Sequence, residues 1–283
     1  MSKLVRMFLS IFVLALGLCS SMLPAVAQQA GQAFSQRIGG NSASSAGTST
    51  LSPFTTQQSS GNWSGWEVGS GAGNGFEAVI GEWNAECVSG PNDSHHQFGS
   101  WVGLGGDFNQ SLEQTGIILR TDGTYRMFWE YVYPDNTGPA PTIDTTDVVK
   151  CGQHIKAWVH LGSAYCPNGG WDTYIQDTTT GKFLNHACDA SKPLGYESAE
   201  WIDERPLVGC GLTQLADFNY TSWSDVQAQA KASGAVFHGP NSFANTRLAM
   251  QDYQGGPYLA FPDATVSSNN TFTDRWYGAG TYC

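Results

Sequence analysis

The dipeptide Asp122-Gly123 lies between two apolar runs, residues 117–121 and 124–133. An Asp-Gly pair in this setting is the strongest short-range signal for a β-hairpin, because both residues tolerate the backbone of a tight turn. In the second run, alternate side chains divide into two faces, as they do in a strand. Further strands are predicted at residues 76–83, 100–104, 154–161 and, as a pair around the turn 178–181, at 173–184.

Composition agrees with a β-rich fold. The chain has 34 glycines and 12% aromatic residues, but only 13% charged residues. Such a composition suits a β-sandwich or barrel with many turns. One short helix is predicted, at residues 224–233, where Ser224 could cap the start and Gly234 could end it.

The N-terminus has the features of a targeting segment. Lys3 and Arg6 precede an apolar run, and residues 25–27 form a small-x-small end, so residues 1–27 are predicted to be a secretory signal peptide. Residues 28–60 are rich in Gln, Ser and Gly without hydrophobic periodicity, which predicts a disordered linker or pro-segment. The folded domain is expected at 61–283.

Charge narrows the choice of partners. Without residues 1–27 the chain keeps 11 basic and 24 acidic residues, a formal charge near −13. Nucleic acid is not expected as a partner, since its binding requires a basic surface. After removal of the signal peptide we expect no membrane association, and nothing in the sequence indicates an oligomer, so a monomer is expected. Export predicts an extracellular location, or a periplasmic one in a Gram-negative host.

The segment 198–206 is the most informative for function. Read as a strand, it places Glu200, Ile202 and Glu204 on one face. Two carboxylates on one strand face are costly to bury unpaired, so this face either meets water or lines a polar cleft. Pro206 cannot donate to a strand ladder, which places Glu204 at a strand end.

Three segments together resemble the glutamic peptidase family, the eqolisins. Residues 101–106 resemble its Trp-Val-Gly-Ile-Asp-Gly segment, 113–116 its Leu-Gln-Thr-Gly, and 199–204 its Ala-Glu-Phe/Trp-Ile-x-Glu. Weaker similarity extends over about 61–278. The resemblance implies an all-β fold, a concanavalin A-like sandwich of two antiparallel sheets of jelly-roll type. It also implies a pepstatin-insensitive acid endopeptidase that acts on protein or peptide substrates.

The same resemblance implies the roles of the site residues. Glu204 is expected to be the general base that activates water, and Gln114 the donor that stabilises the tetrahedral oxyanion. The family's Asp is Gly105 here, and Asp107 is a candidate substitute for it. Supporting or substrate-binding positions are expected at Trp101, Asp107, Trp129, Glu130 and Glu200.

Six cysteines lie outside the predicted signal peptide, and an even number in an exported chain indicates disulfides. Fifteen pairings are possible. Sequence neighbours favour Cys151–Cys166 and Cys188–Cys210, which leaves Cys87–Cys283. No zinc-binding spacing occurs, so neither a metal nor another cofactor is expected.

Two other functions fit the same predicted sandwich. A glycoside hydrolase could use Glu130 and Glu204 as its carboxylate pair, which in a retaining enzyme lie about 5–5.5 Å apart. A non-catalytic carbohydrate-binding module would need neither Glu204 nor Gln114.

Overall fold

In the computed structural model, the chain forms a β-sandwich almost without helix. The structure describes residues 32–33 (backbone only), 55–69, 75–91, 93–106, 111–133, 140–162, 166, 170–189, 197–208, 211–231, 234 and 236–282. The strands in these ranges are β1 (Gln32–Ala33), β2 (Thr55–Ser60), β3 (Trp63–Gly69), β4 (Phe76–Asn84), β5 (His96–Gln97), β6 (Gly99–Gly105), β7 (Leu112–Leu119), β8 (Tyr125–Val132), β9 (Thr142–Ile143), β10 (His154–Leu161), β11 (Trp171–Asp177), β12 (Lys182–Asp189), β13 (Ser198–Glu204), β14 (Leu207–Val208), β15 (Gly211–Leu212), β16 (Gln214–Leu215), β17 (Tyr220–Ala230), β18 (Ala244–Gln251), β19 (Tyr258–Pro262) and β20 (Phe272–Trp276).

Most strands belong to one continuous sheet that folds back on itself into two layers. Its order is β12-β11-β10-β4-β17-β20-β19-β18-β3-β13-β6-β7-β8-β9, and β2 pairs with β18 in parallel. Strands β4 and β10 of one layer pack on β6 of the other. The predicted hairpin is present, since β7 and β8 pair antiparallel around the turn that contains Gly123.

The layer β18-β3-β13-β6-β7-β8 has two different faces. Its inner face contributes Trp66, Val102, Ile117 and Trp201 to the large apolar core between the layers. Its outer face carries a smaller apolar cluster with polar side chains among it. This outer cluster consists of Trp63, Trp101, Leu112, Ile118, Phe128, Val132, Ile202 and Leu248.

The helix predicted at 224–233 is wrong, because β17 covers residues 220–230. Strand β17 pairs with β4 on one side and β20 on the other, with a bulge between Ser224 and Gln227. Pairing with two strands and burial of Trp223 and Val226 outweigh the helix preference of its Ala and Gln residues. A short 3₁₀ turn is present at Pro240–Ser242.

The sheet also begins earlier than residue 61. Strand β2, at 55–60, lies along β18, and residues 32–33 pair with β14. Both segments fall within the range expected to be linker or pro-segment. The predicted signal peptide lies outside the described residues.

The cysteine pairing differs from the expected one. Cys87 and Cys151 form a disulfide, with their Cα atoms 4.7 Å apart, so the predicted Cys87–Cys283 and Cys151–Cys166 bridges are wrong. Cys166 is also disulfide-bonded, to a cysteine outside the described side chains. The predicted Cys188–Cys210 bridge lies outside the described side chains. Cys87 and Cys151 follow β4 and precede β10, which are paired strands, and this long-range pairing brings the two cysteines together.

Candidate active site

Five residues form one row across the outer face. Glu130 pairs with Gln114, Gln114 with Gly103, Gly103 with Glu200, and Glu200 with Glu67. Direct cross-strand partners project to the same face of a sheet. We call these five residues the central row. Gly103 lies between Gln114 and Glu200 within it.

Hydrogen bonding fixes the orientation of the Gln114 carboxamide. Its Nε2 donates to Oε2 of Glu130 over 3.0 Å, and its Oε1 is buried with no hydrogen-bond partner. An amide nitrogen carries two N–H groups, so one donor remains available after the bond to Glu130. A buried polar atom is nearly always hydrogen-bonded, so Oε1 is available as an acceptor.

The Leu112 and Trp101 side chains occupy the space over Gly103 between Gln114 and Glu200, which we call the gap. A Cβ at this position would lie 2.8 Å from both Leu112 Cδ1 and Trp101 Cζ3, so no side chain fits without displacing its neighbours. The backbones of β7 and β13 are two strand spacings apart, about 9.6 Å.

Glu204 is placed elsewhere on the same face. It pairs with Gly99 in β6, four residues along β13 from Glu200. Four residues of strand and two strand spacings separate its Cα from that of Gln114 by about 16 Å. No contact of the described residues tests the expected partnership of Glu204 with Gln114, which stays a prediction.

Glu204 instead holds the indole of Trp101. Trp101 Nε1 donates to Oε2 of Glu204 over 2.9 Å, and Asn62 Nδ2 donates to Oε1 over 3.1 Å. The Trp101 ring packs edge-on against Trp63, with centroids 5.0 Å apart. Because its far edge overlies Gly103, the Glu204–Trp101 bond positions one wall of the gap between Gln114 and Glu200.

The remaining expected site residues have different positions. Glu130 and Glu200 both belong to the central row. Trp129 lies on the opposite face of β8 and stacks on His186, with centroids 3.7 Å apart, and its supporting role stays a prediction. Asp107 lies outside the described residues. Glu67 was not expected from the sequence, because no motif includes it.

A separate group of carboxyls lies between the two layers. Asp203 points inward from β13, where Ser100 Oγ lies 2.6 Å from its Oδ1 and 2.7 Å from Oε1 of Glu86. Thr221 Oγ1 donates to the same Glu86 oxygen over 2.9 Å. Asp274 accepts a hydrogen bond of 2.9 Å from Ser64. We call Glu86, Asp203 and Asp274 the interior carboxyl group.

The interior carboxyl group retains protons in the folded state. Burial raises the pKa of Glu86 to about 8, and the charge of Asp203 adds to this effect. Burial also raises the pKa of Asp203 to about 6 and that of Asp274 well above its usual range. A single serine hydroxyl has one proton to donate, so its two short contacts require a proton on at least one carboxyl.

Neither a metal site nor a membrane span emerges from the part of the chain that the structure describes. No group of three or more His, Cys, Asp or Glu is arranged to hold a metal ion there. Those residues also contain no helix long and apolar enough to cross a membrane.

Comparison with known families identifies the chain. A model described as the peptidase A4 family matches residues 61–275, which include the whole central row. The chain belongs to the peptidase A4 family, the glutamic peptidases. The resemblance carried by residues 101–106, 113–116 and 199–204 is thereby confirmed. Comparison with curated proteins gives no match.

Solved structures show the same fold for this A4 peptidase. A crystal structure of scytalido-glutamic peptidase with a transition-state analogue inhibitor is 21% identical, with a TM-score of 0.61 over 77% of this chain and 98% of the other. SCP-B, an eqolisin family member in complex with the tripeptide Ala-Ile-His, is 19% identical, with a TM-score of 0.59 and the same coverage. Aspergilloglutamic peptidase from Aspergillus niger is 22% identical, with a TM-score of 0.51 over 64% of this chain and 99% of the other. The predicted antiparallel β-sandwich is confirmed.

Proposed function

We propose that this A4 peptidase is an acid endopeptidase in which Glu200 is the general base and Gln114 stabilises the oxyanion. One observation carries the proposal: Gln114 and Glu200 occupy the same register row, with glycine between them. For this carboxylate and carboxamide to hold one water molecule between them, the Trp101 or Leu112 side chain over Gly103 must move aside. This proposal transfers the role expected for Glu204 to Glu200.

The chemistry follows from the two side chains. Glu200 takes a proton from the water as its oxygen attacks the scissile carbonyl carbon, and Gln114 Oε1 accepts the other water proton in a hydrogen bond. The carbonyl oxygen gains negative charge, and the free N–H of Gln114 Nε2 donates to it. Glu200 then transfers its proton to the amide nitrogen as the C–N bond breaks.

Glu130 and Glu204 support this reaction without touching the substrate. Glu130 accepts one N–H of Gln114 and thereby keeps Oε1 directed away from itself. Glu204 holds Trp101 against the gap. A group whose orientation is set before reaction costs little reorganisation at the transition state, which is the main source of electrostatic catalysis.

The glycosidase alternative fits this geometry poorly. Glu130 and Glu204 are three strand spacings and four residues apart, about 20 Å between Cα atoms. Glycosidase carboxyl pairs lie about 5–9.5 Å apart. No contact in the described residues favours a carbohydrate-binding module.

We also propose that the protein is exported and acts on proteins or peptides as a monomer. The signal-peptide pattern of residues 1–27 supports export, and the Cys87–Cys151 disulfide is typical of an oxidising compartment. The net charge of −11 supports a partner other than nucleic acid.

The test is proteolysis of a denatured protein at acid pH by the purified chain. Because the polar side chains of the central row are buried, the chain should first be incubated at acid pH, and its N-terminus should be followed by mass spectrometry. We expect cleavage that pepstatin does not block and that Gln114→Ala lowers by about 100- to 1,000-fold. Gln229→Ala, which removes a buried glutamine on β17, is the matched control and should leave the rate unchanged. Absence of cleavage after N-terminal processing would overturn the proposal.

A further inference from the structure

The connection between β2 and β3, residues 61–62, lies against the end of β13. The backbone N–H of Arg205 donates to the carbonyl oxygen of Asn62 over 3.1 Å, and its side-chain Nε donates to that of Gly61 over 2.8 Å. Asn62 Nδ2 donates to Oε1 of Glu204 over 3.1 Å. The side chains of Asn62, Glu204 and Arg205 are all buried, so this connection is a packed part of the site.

The hydroxyl of Ser60 determines which end of the Asn62 amide faces Glu204. Its Oγ donates to Asn62 Oδ1 over 3.1 Å and accepts hydrogen bonds from the backbone N–H groups of Asn62 and Trp63, over 3.3 and 3.1 Å. A hydroxyl can donate to the amide oxygen but not to the amide nitrogen, so the nitrogen is the end that faces the carboxylate. Trp101 Nε1 donates to the other carboxylate oxygen. With one donor on each oxygen, Glu204 has a fixed orientation.

Ser60 is the last residue of β2, which falls within the range expected to be linker or pro-segment. Strand β2 runs in parallel along β18, with Thr55 opposite Asn245 and Ser60 opposite Met250. The pairing extends over all six residues of the strand. A segment held in this way belongs to the folded sheet, and the hydroxyl at its end is delivered to the site by that pairing.

A chain that began at Gly61 would lose this arrangement. It would lack the Ser60 hydroxyl, and it would carry an α-ammonium group at Gly61, whose carbonyl oxygen accepts a hydrogen bond from Arg205. An ammonium group this close to a buried guanidinium is repelled by it and is costly to remove from water.

We propose that Ser60 stays in the active enzyme and is a positioning residue, which acts through Asn62 on the Glu204 carboxylate. Any N-terminal processing then leaves the end of β2 in place. The inference rests on the proposed function, because it concerns a site that hydrolyses peptides. It does not depend on which glutamate of β13 is the base, since Asn62 and Trp101 orient Glu204 in either case.

The kinetic test uses Ser60→Ala in the full chain after incubation at acid pH. Loss of one orienting hydrogen bond should lower kcat by about fivefold with KM little changed. Ser60→Thr keeps the hydroxyl and should restore most of the lost rate. In a chain that already carries Asn62→Ala, Ser60→Ala should lower kcat no further, because the group that the hydroxyl orients is absent.

The matched control is Ser64→Ala. It removes another buried serine hydroxyl, which donates to Asp274 over 2.9 Å between the two layers. This variant should leave kcat unchanged, because the lost hydrogen bond does not reach Glu204.

A second measurement does not depend on turnover. The indole N–H of Trp101, identified by its absence in Trp101→Phe, reports on the Glu204 carboxylate in ¹H–¹⁵N spectra. Ser60→Ala should shift this resonance and accelerate its hydrogen exchange, whereas Ser64→Ala should leave both as in wild type.

Mass spectrometry of the active species locates its N-terminus, which should precede residue 61. An active enzyme that begins at residue 61 or later would overturn the inference, as would wild-type kcat or an unmoved Trp101 resonance in Ser60→Ala. Absence of cleavage by the wild-type chain, with the Trp101 resonance still shifted in Ser60→Ala, would instead overturn the proposed function. The two failures are therefore distinguishable.

Discussion

Gln114 and Glu200 lie on strands two apart, and only Gly103 separates them in the register. Glycine at that position leaves room for the Leu112 and Trp101 side chains, which a Cβ would approach to 2.8 Å. The carboxamide is held by Glu130, and the wall of the gap is held by the Glu204–Trp101 hydrogen bond.

Filling the gap should damage catalysis more than stability. Gly103→Ala would place a methyl group 2.8 Å from the Trp101 and Leu112 side chains, so at least one of them must move. We expect kcat to fall by at least tenfold, and the free energy of unfolding to fall by about 1–3 kcal/mol, as for an overpacked site. Steady-state kinetics and urea unfolding measure the two effects.

The control for this substitution lies in the opposite layer. A Cβ at Gly81 of β4 would lie 2.9 Å from Trp201 Cδ1, within the core between the layers. Gly81→Ala should therefore cost similar stability with kcat unchanged. Equal loss of kcat in the two variants would show that the gap at Gly103 has no special role.

The interior carboxyl group should make the fold most stable in acid. Raised pKa values mean that the folded state binds more protons than the unfolded chain between pH 4.5 and about 8. The contribution of these protonated carboxyls to stability is fully present below pH 4.5 and is lost as pH rises through about 8. The slope is about 1.4 kcal/mol per pH unit for each excess proton. Urea unfolding between pH 4.5 and about 8 measures this slope.

The Glu86→Gln variant tests the source of this pH dependence. The amide cannot ionise, so the variant has one excess proton fewer in the folded state. The slope of the unfolding free energy against pH should therefore decrease by about 1.4 kcal/mol per pH unit. Glu82→Gln, at a half-buried site paired with Lys156, is the control and should keep the wild-type slope. An unchanged slope in Glu86→Gln would place the excess protons elsewhere.

Removal of the Cys87–Cys151 bridge should lower stability. The bridge closes a loop with a sequence separation of 64 residues and restricts the unfolded chain. The double substitution Cys87→Ser with Cys151→Ser should cost about 2–4 kcal/mol. Thermal unfolding of the variant checks this value, and a melting temperature equal to that of wild type would contradict it.

Local patterns in the sequence predict most of the strands but not their partners. Alternation located β4, β10 and β13, and Asp122-Gly123 located the hairpin. The helix at 224–233 was wrong because the sheet pairing of β17 is a long-range effect. Glu200 and Glu204 lie on one face of β13, and their different partners in β6 are likewise a long-range feature that local sequence does not give.

The positions of Glu67 and of the disulfide also depend on strand pairing that local sequence does not predict. Glu67 is 133 positions from Glu200, and no motif contains it. Cys87 and Cys151 are joined because β4 pairs with β10, whereas proximity in sequence favoured Cys151–Cys166. Residues 101–106, 113–116 and 199–204 identified the family, because the resemblance needs only local sequence and spacing.

The most direct test of the central claim compares Glu200→Gln with Glu204→Gln in one assay of peptide hydrolysis at acid pH. Both variants remove one carboxylate from the same face of β13 and keep its volume. Loss of the base in Glu200→Gln should lower kcat by at least about 100-fold with KM little changed. Glu204→Gln should keep measurable turnover, because an amide can still accept the Trp101 N–H. Full activity in Glu200→Gln together with an inactive Glu204→Gln would contradict the account.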